Sequence, residues 1–195
     1  MNESDIVMRN IKAELIKTAQ DMIQKFGYNA FSYRDIANEV GIKSASIHYH
    51  FPSKADLGEA VAADYRKKFM GTLKEADEQG KTTSELLILY VSLFKQALIE
   101  DNKMCLCGML SAEISSLPKQ IAAETKLFFH ENQNWLVSVM LRHVKPSSSA
   151  PMTDFKTEAA LFVASLEGAL IVAKGLGDVD VFNKITEKFL SPYLD

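Results

Sequence analysis

Apolar residues in this chain recur at spacings of three and four, the period of an α-helix, and no stretch shows the alternation of a half-buried strand. The first such segment sets Ile11, Leu15, Ala19, Met22, Ile23 and Phe26 on one face and stops at Gly27. A short helix follows Ser32, where Ser32 and Asp35 form an S-x-x-D capping box. Ile36, Ala37 and Val40 then face inward, and Gly41 ends it. Ser44 is the expected N-cap of a second short helix running to about His50 and Phe51, with Pro52 closing it. Ser53 caps a long fourth helix from Lys54 to about Glu78, in which Leu57, Val61, Tyr65 and Phe69 repeat every four residues.

Beyond Gly80 the pattern predicts helices over about 86–100, 105–115, 119–144, 154–174 and 179–190. The segment 145–151, rich in Ser and Pro, is the one low-complexity loop. The expectation is an all-α chain of about nine helices. An N-terminal three-helix domain spans 1–54 and a helical domain spans 55–195, with the boundary inside the long fourth helix rather than at a linker.

Two short helices joined by a Gly-containing turn and backed by an amphipathic helix are the parts of a helix-turn-helix, whose second helix enters the DNA major groove. Here that helix carries Ser44, Ala45, Ser46, Ile47, His48, Tyr49 and His50. Ile47 and Phe51 form an inward anchor, while small hydroxyl residues lie where base edges would be and aromatic donors follow one turn later. Lys54 joins a cation to a positive helix terminus, a natural phosphate contact. Arg34 is placed to reach a guanine or a phosphate.

Over about residues 10–60, the segment FSYRDIANEVGIKSASIHYHFPSKADLGEAV resembles the DNA-binding region of the tetracycline-repressor (TetR) family of bacterial transcription regulators. The residues carrying the resemblance are Gly27, Phe31, Ile36, Ala37, Val40, Gly41, the run Ile47 to Phe51, and Phe51, Ser53, Lys54 and Leu57. It implies DNA contacts at Ser44, Ala45, Ser46, His48, Tyr49 and His50, with Lys54 and Arg34 flanking. His48 stands where the family commonly has tyrosine. The resemblance also implies a C-terminal domain that binds a small effector and dimerises through its last two long helices, the dimer acting as a repressor on a palindromic operator.

Charge complicates this picture. The 195 residues carry a net charge of −3, which taken alone argues against a nucleic-acid binder. Residues 1–68 hold 10 Lys+Arg against 9 Asp+Glu, and the remainder holds 12 against 16. DNA affinity is therefore expected to rest on a few placed contacts, Arg34, Lys43, Tyr49, His50 and Lys54, rather than on a broad cationic field. An apolar content of 47% with only 9 Gly and 5 Pro excludes a disordered chain. No apolar run is read as approaching the roughly 20 residues of a membrane span, and the N-terminus lacks a signal peptide's apolar core, so a cytoplasmic protein is expected.

In the second domain, Phe155, Ala159, Phe162, Val163, Leu166, Ala169, Leu170 and Ala173 form a broad apolar face. With 179–190 it is expected to supply a dimer interface, the alternative being that it packs inside the monomer. Effector contacts are sought among Tyr90, Phe94, Met104, Cys105, Met109, Phe128, His130, Trp135 and His143, aromatic and sulfur groups suited to an apolar pocket. Cys105 and Cys107 lie too close in sequence to staple the chain, and no further pair of ligands completes a metal site, so no metal or cofactor is expected. Cys105 also resembles the cysteine that electrophile-responsive members of the family place before a leucine. Lys174 is the candidate cation to ionise it. No phosphate loop, H-E-x-x-H or G-x-S-x-G motif is present. The competing readings are a small helical enzyme or ligand carrier with an incidental helix-turn-helix, and a protein-interaction module.

Overall fold

The computed structural model describes residues 3–143 and 152–194, with side chains placed over 11–142 and 154–194. The predicted loop at 145–151 and the His143 side chain lie outside these. Among the described residues the chain is all-α: α1 Glu3–Phe26, α2 Tyr33–Val40, α3 Ser44–His50, α4 Lys54–Glu78, α5 Thr83–Ile99, α6 Leu106–Ala112, α7 Lys119–His143, α8 Met152–Leu176 and α9 Val179–Leu190. Short 3₁₀ turns follow α6 and α9.

The helix starts follow local chemistry. Ser32 Oγ accepts from the Asp35 amide while the Ser32 amide donates to Asp35 Oδ2 at 2.7 Å, completing the box that opens α2. Ser53 and Asp56 repeat this at α4, and Thr82 and Glu85 at α5. Gly41 leaves α2 at φ 75°, a left-handed conformation that glycine adopts without steric cost. Ser44 is not the cap of α3: Lys43 takes that place without a side-chain hydrogen bond, and Ser44 is the first residue of the helix.

The chain divides into two compact units. The first holds the residues up to Lys67 together with Leu106–Lys126, so the boundary falls inside α4, and α6 joins the unit that contains α1–α3. A division at 54/55 does not anticipate that rejoining. Its core gathers Leu15, Ala19 and Ile23 of α1, Ile36 of α2, Ile47 of α3, Leu57 and Val61 of α4, and Leu106, Leu110 and Ile121. At Gly58 an added Cβ would stand 2.4 Å from Ile121 Cδ1 and 2.8 Å from Tyr28 Cε2, so only a residue without a side chain fits there. Phe26 departs from the expected inward face: it is 65% exposed, and beyond Ile23 the buried aromatic positions pass to Tyr28 and Phe31.

The second unit holds Lys68–Cys105 and the residues from Leu127 onward. In it α8 packs most extensively on α9, and both touch α5. Phe69 is its aromatic hub, edge-on to Tyr90, Phe94 and Phe128 at ring separations of 5.6, 5.6 and 5.2 Å. Here the expected interface face is corrected. Phe155, Ala159, Phe162, Val163, Leu166, Ala169, Leu170 and Ala173 are all buried within the chain itself, because that side of α8 closes on α5 and α9. The apolar residues that α8 leaves exposed are Leu161, Ile171, Val172 and Leu176. The segment Asp154–Leu176 is also long and apolar enough, by length and composition alone, to cross a membrane, a run the sequence reading overlooked. A core helix passes the same test.

Candidate functional site

The helix-turn-helix is built by anchoring one face of a seven-residue helix. Ile47 is fully buried and Phe51 nearly so, which fixes α3 by two contacts a turn apart. Ala45, Ser46, His48 and Tyr49 are therefore exposed, Tyr49 at 73%, with Ser44 and His50 half-buried. Lys43 and Arg34 are exposed beside them. Ser44 has no capping duty in α3, and no acidic residue lies in this helix.

The outward residues differ in how firmly they are held. His48 Nδ1 lies 3.2 Å from the Pro52 carbonyl oxygen, a hydrogen bond that requires the proton on Nδ1, and its ring meets Tyr33 edge-on at 4.8 Å. Tyr33 Oη donates to the Phe51 carbonyl at 2.9 Å. Burial first, then Asp56 and Tyr28, push the Tyr33 phenol up to about 12, so it remains a neutral donor at physiological pH. Tyr49 touches only His50 among the described rings, edge-on at 5.2 Å.

Lys54 is turned differently from the sequence expectation. Its Nζ donates to the Phe31 carbonyl at 2.5 Å and lies over the Tyr28 and Phe31 rings, 4.5 and 4.3 Å from their centroids. Burial lowers its pKa, with Glu113 and Asp35 partly opposing that shift. Lys54 thus fastens the start of α4 to the loop before α2. Glu113, which the sequence reading missed, does similar work: its carboxylate accepts from the Tyr28 amide at 2.6 Å, and Asn29 Nδ2 donates to Ser116 Oγ at 2.9 Å. A lone acid at the end of an otherwise neutral α6 was the available signal.

The effector candidates separate into those that meet and those that do not. Tyr90 stacks on Trp135 with ring centroids 5.5 Å apart and planes at 15°, and contacts Phe94 and Phe162 at 5.3 and 6.0 Å. Met104 and Cys105 are buried in the same unit, as is Phe128. His130 is exposed, and Met109 belongs to the first unit, packed against its core. Around the aromatic group, Tyr90 Oη, Asn132 Oδ1 and Trp135 Nε1 are buried and make no hydrogen bond within the chain, and both buried Glu167 oxygens lack an N–H or O–H partner, with only the Cys105 thiol to donate to them. Each such atom costs about 1–3 kcal/mol. Asn132 and Glu167 were not foreseen; a single acid set in the apolar run of α8 was the signal.

Burial pushes the Glu167 carboxyl up to about 7, the Cys105 thiol pulling the other way. Tyr90 is raised by burial, then by Cys105 and Glu167. Cys105 is 1% exposed. Its surroundings are thus enclosed and acidic, whereas a reactive thiol needs access and a cation. The expected activation of Cys105 by Lys174 is not what this geometry favours.

The family model described as "Bacterial regulatory proteins, tetR family" matches residues 15–61, from α1 through the first turns of α4. A TetR transcriptional regulator from Legionella pneumophila is 32% identical, with 93% of this chain and 96% of that one covered at a TM-score of 0.85. A TetR-family regulator from Agrobacterium tumefaciens is 29% identical, covering 95% and 98%, also at 0.85. The HTH-type transcriptional repressor KstR2 of Mycolicibacterium smegmatis is 26% identical over 142 residues, 72% of this chain and 68% of that protein. With an anchored recognition helix, a fold shared over nearly its whole length and sequence identity above 30%, the chain belongs to the TetR family of bacterial transcription regulators.

Proposed function

We propose that the chain works as a cytoplasmic homodimeric repressor that leaves a palindromic operator when a small effector binds its second unit, and that it is a regulator rather than an enzyme. The observation that carries this reading is the outer face of α3. Ser44, Ala45, Ser46, His48, Tyr49 and His50 stand on a helix whose other side is locked by Ile47 and Phe51, with Arg34 and Lys43 exposed beside it. Ser46 and the short Ala45 approach base edges, while Tyr49, Arg34 and Lys43 take phosphates. His48, with Nδ1 engaged, offers Nε2 to the duplex. Lys54 acts as a positioning residue for the start of α4.

Two recognition helices must sit about 34 Å apart to occupy successive major grooves. The dimer surface we assign is the outer stripe of α8, Leu161, Ile171, Val172 and Leu176, joined by Phe189 of α9. Gly168 and Gly175 lie on this side with open space where a Cβ would be, which allows close helix approach. An effector that changes the spacing of the two recognition helices abolishes tight binding.

In vitro selection of duplexes followed by gel retardation at several salt concentrations tests the reading. A selected palindrome should be retained by the chain and lost on Tyr49→Ala or Arg34→Ala, with the complex sedimenting as a dimer on one duplex. Retention indifferent to DNA sequence sinks it.

A further inference from the structure

The second unit holds more unpartnered polar chemistry than packing alone explains. Tyr90 Oη, Asn132 Oδ1 and Trp135 Nε1 are buried without a hydrogen bond in the chain, and the two buried oxygens of Glu167 have no N–H or O–H partner, the Cys105 thiol being the one group that acts on them as a donor. Tyr90, Trp135 and Glu167 are drawn together by contacts. Tyr90 stacks on Trp135 at 5.5 Å and feels the charge of Glu167, while Asn132 lies one turn before Trp135 on α7 and spends its Nδ2 on the Phe128 carbonyl at 2.7 Å. The Asn132 oxygen and, once Glu167 is ionised, both carboxylate oxygens only accept; the indole only donates, and the Tyr90 hydroxyl can do either. Flat faces of Tyr90, Trp135 and Phe162 stand among them.

A ligand complementary to such a set carries N–H donors and a flat apolar body. A neutral molecule rich in acceptors leaves the ionised carboxylate unsatisfied. A protonated amine answers it, because it donates to the carboxylate, neutralises its charge and lies against aromatic faces that attract cations. We infer that the effector of this regulator is a small aromatic organic cation, an arylalkylamine or amidine, whose ammonium or amidinium pairs with Glu167 while Tyr90 and Trp135 hold its ring. This rests on the reading of the second unit as the effector domain.

The charged form of Glu167 is the one that pairs, so binding drives its proton into solvent. The titratable groups acting on Glu167 are Cys105, just before α6, and Tyr90 on α5; α7 presents Asn132 and Trp135, and α9 turns Phe182, Thr186 and Leu190 inward, none of which ionises near neutrality. Amine affinity is therefore expected to rise between pH 6 and pH 8 while the affinity of a neutral isostere stays flat.

The test is calorimetric titration of the full chain with 2-phenylethylamine and its one-ring-larger homologue 2-(1-naphthyl)ethylamine, each against the corresponding alcohol. The amines should bind in preference to the alcohols. Glu167→Gln should weaken the amines by roughly tenfold or more, the scale of a hydrogen bond to a charged group, and leave the alcohols within about twofold; Tyr90→Phe, a second variant that keeps the stack, should weaken the amines less. Equal binding of amine and alcohol, amine binding unmoved by Glu167→Gln, or no amine binding overturns the inference. A separate arm titrates the selected duplex: if the chain selects no DNA sequence, the regulator reading fails whatever the amines do, and if duplex is bound and the amines behave as alcohols, only this inference fails.

Discussion

The two units of the chain differ in how their functional polar groups are held. In the first, the helix-turn-helix ties its polar atoms into short local bonds: two Ser–Asp capping boxes, the Tyr33 phenol on the Phe51 carbonyl, Lys54 on Phe31 and Glu113 on the Tyr28 amide. In the second, Tyr90, Asn132 and Trp135 keep buried polar atoms without a hydrogen bond in the chain, and the buried Glu167 carboxyl has only a thiol to donate to it. Satisfied groups hold one geometry, which suits a surface that must match a duplex. Unsatisfied groups cost stability in the isolated protein and make that region responsive to whatever supplies the missing bonds.

Four measurements press on this contrast, beginning with the largest effect. Phe69→Ala removes the ring on which Tyr90, Phe94 and Phe128 converge, and should destabilise the second unit by about 3–5 kcal/mol in urea titrations followed by circular dichroism. Next, Glu167 should make the protein less stable as pH rises. Its folded pKa of about 7 lies above that of an unfolded glutamate, near ~4.3, so the stability tied to its protonated form is complete below that lower value and is lost as pH climbs through about 7. Glu167→Gln cannot ionise. It should gain on the order of 2 kcal/mol over the wild type between pH 5 and pH 8, and parallel curves for the two would show that Glu167 is not buried as the structure has it.

Ser32→Ala opens one capping box and should cost about 1 kcal/mol, seen as faster amide exchange in α2 while the second unit is unaffected. The smallest effect on stability belongs to Tyr49→Ala. At 73% exposure it should change the unfolding free energy from urea titration by no more than about 0.5 kcal/mol and still abolish retention of a selected duplex. A Tyr49 variant that unfolds the first unit would erase the distinction between its anchored and its outward residues.

Much of the first unit could be read from sequence because its signals are local. Ser32 with Asp35, Gly41, and the Ser53 cap are short-range features, and each stands in the structure where spacing put it, with Asp56 added as the partner of Ser53. Serine favours the cap role, which points to Ser44, yet Lys43 opens the helix without a side-chain hydrogen bond. The direction of Lys54 was beyond sequence, since a lysine at a helix start serves a phosphate or a nearby carbonyl equally well.

The second unit hid more. α8 is apolar on two sides, so periodicity found a buried face at Phe155, Ala159 and Phe162 but had no means of telling the chain's own core from a partner's surface. Glu167 and Asn132 were passed over because a search for pocket-lining aromatics does not look for polar residues set among them. Cys105 was read for its reactivity when its neighbours, Glu167 and Tyr90, decide otherwise.

The chain's single tryptophan gives the contrast an optical form. Trp135 lies in the second unit, stacked on Tyr90, with its indole N–H buried and unpartnered. Its fluorescence is therefore a private signal of that half: any guest that hydrogen-bonds the indole or lies against its ring shifts or quenches that light. Melting of the helix-turn-helix alone leaves the colour unchanged while lowering helical ellipticity. Two spectroscopies on one unmodified sample thus separate the unit that carries the helix-turn-helix from the unit that carries the aromatic group.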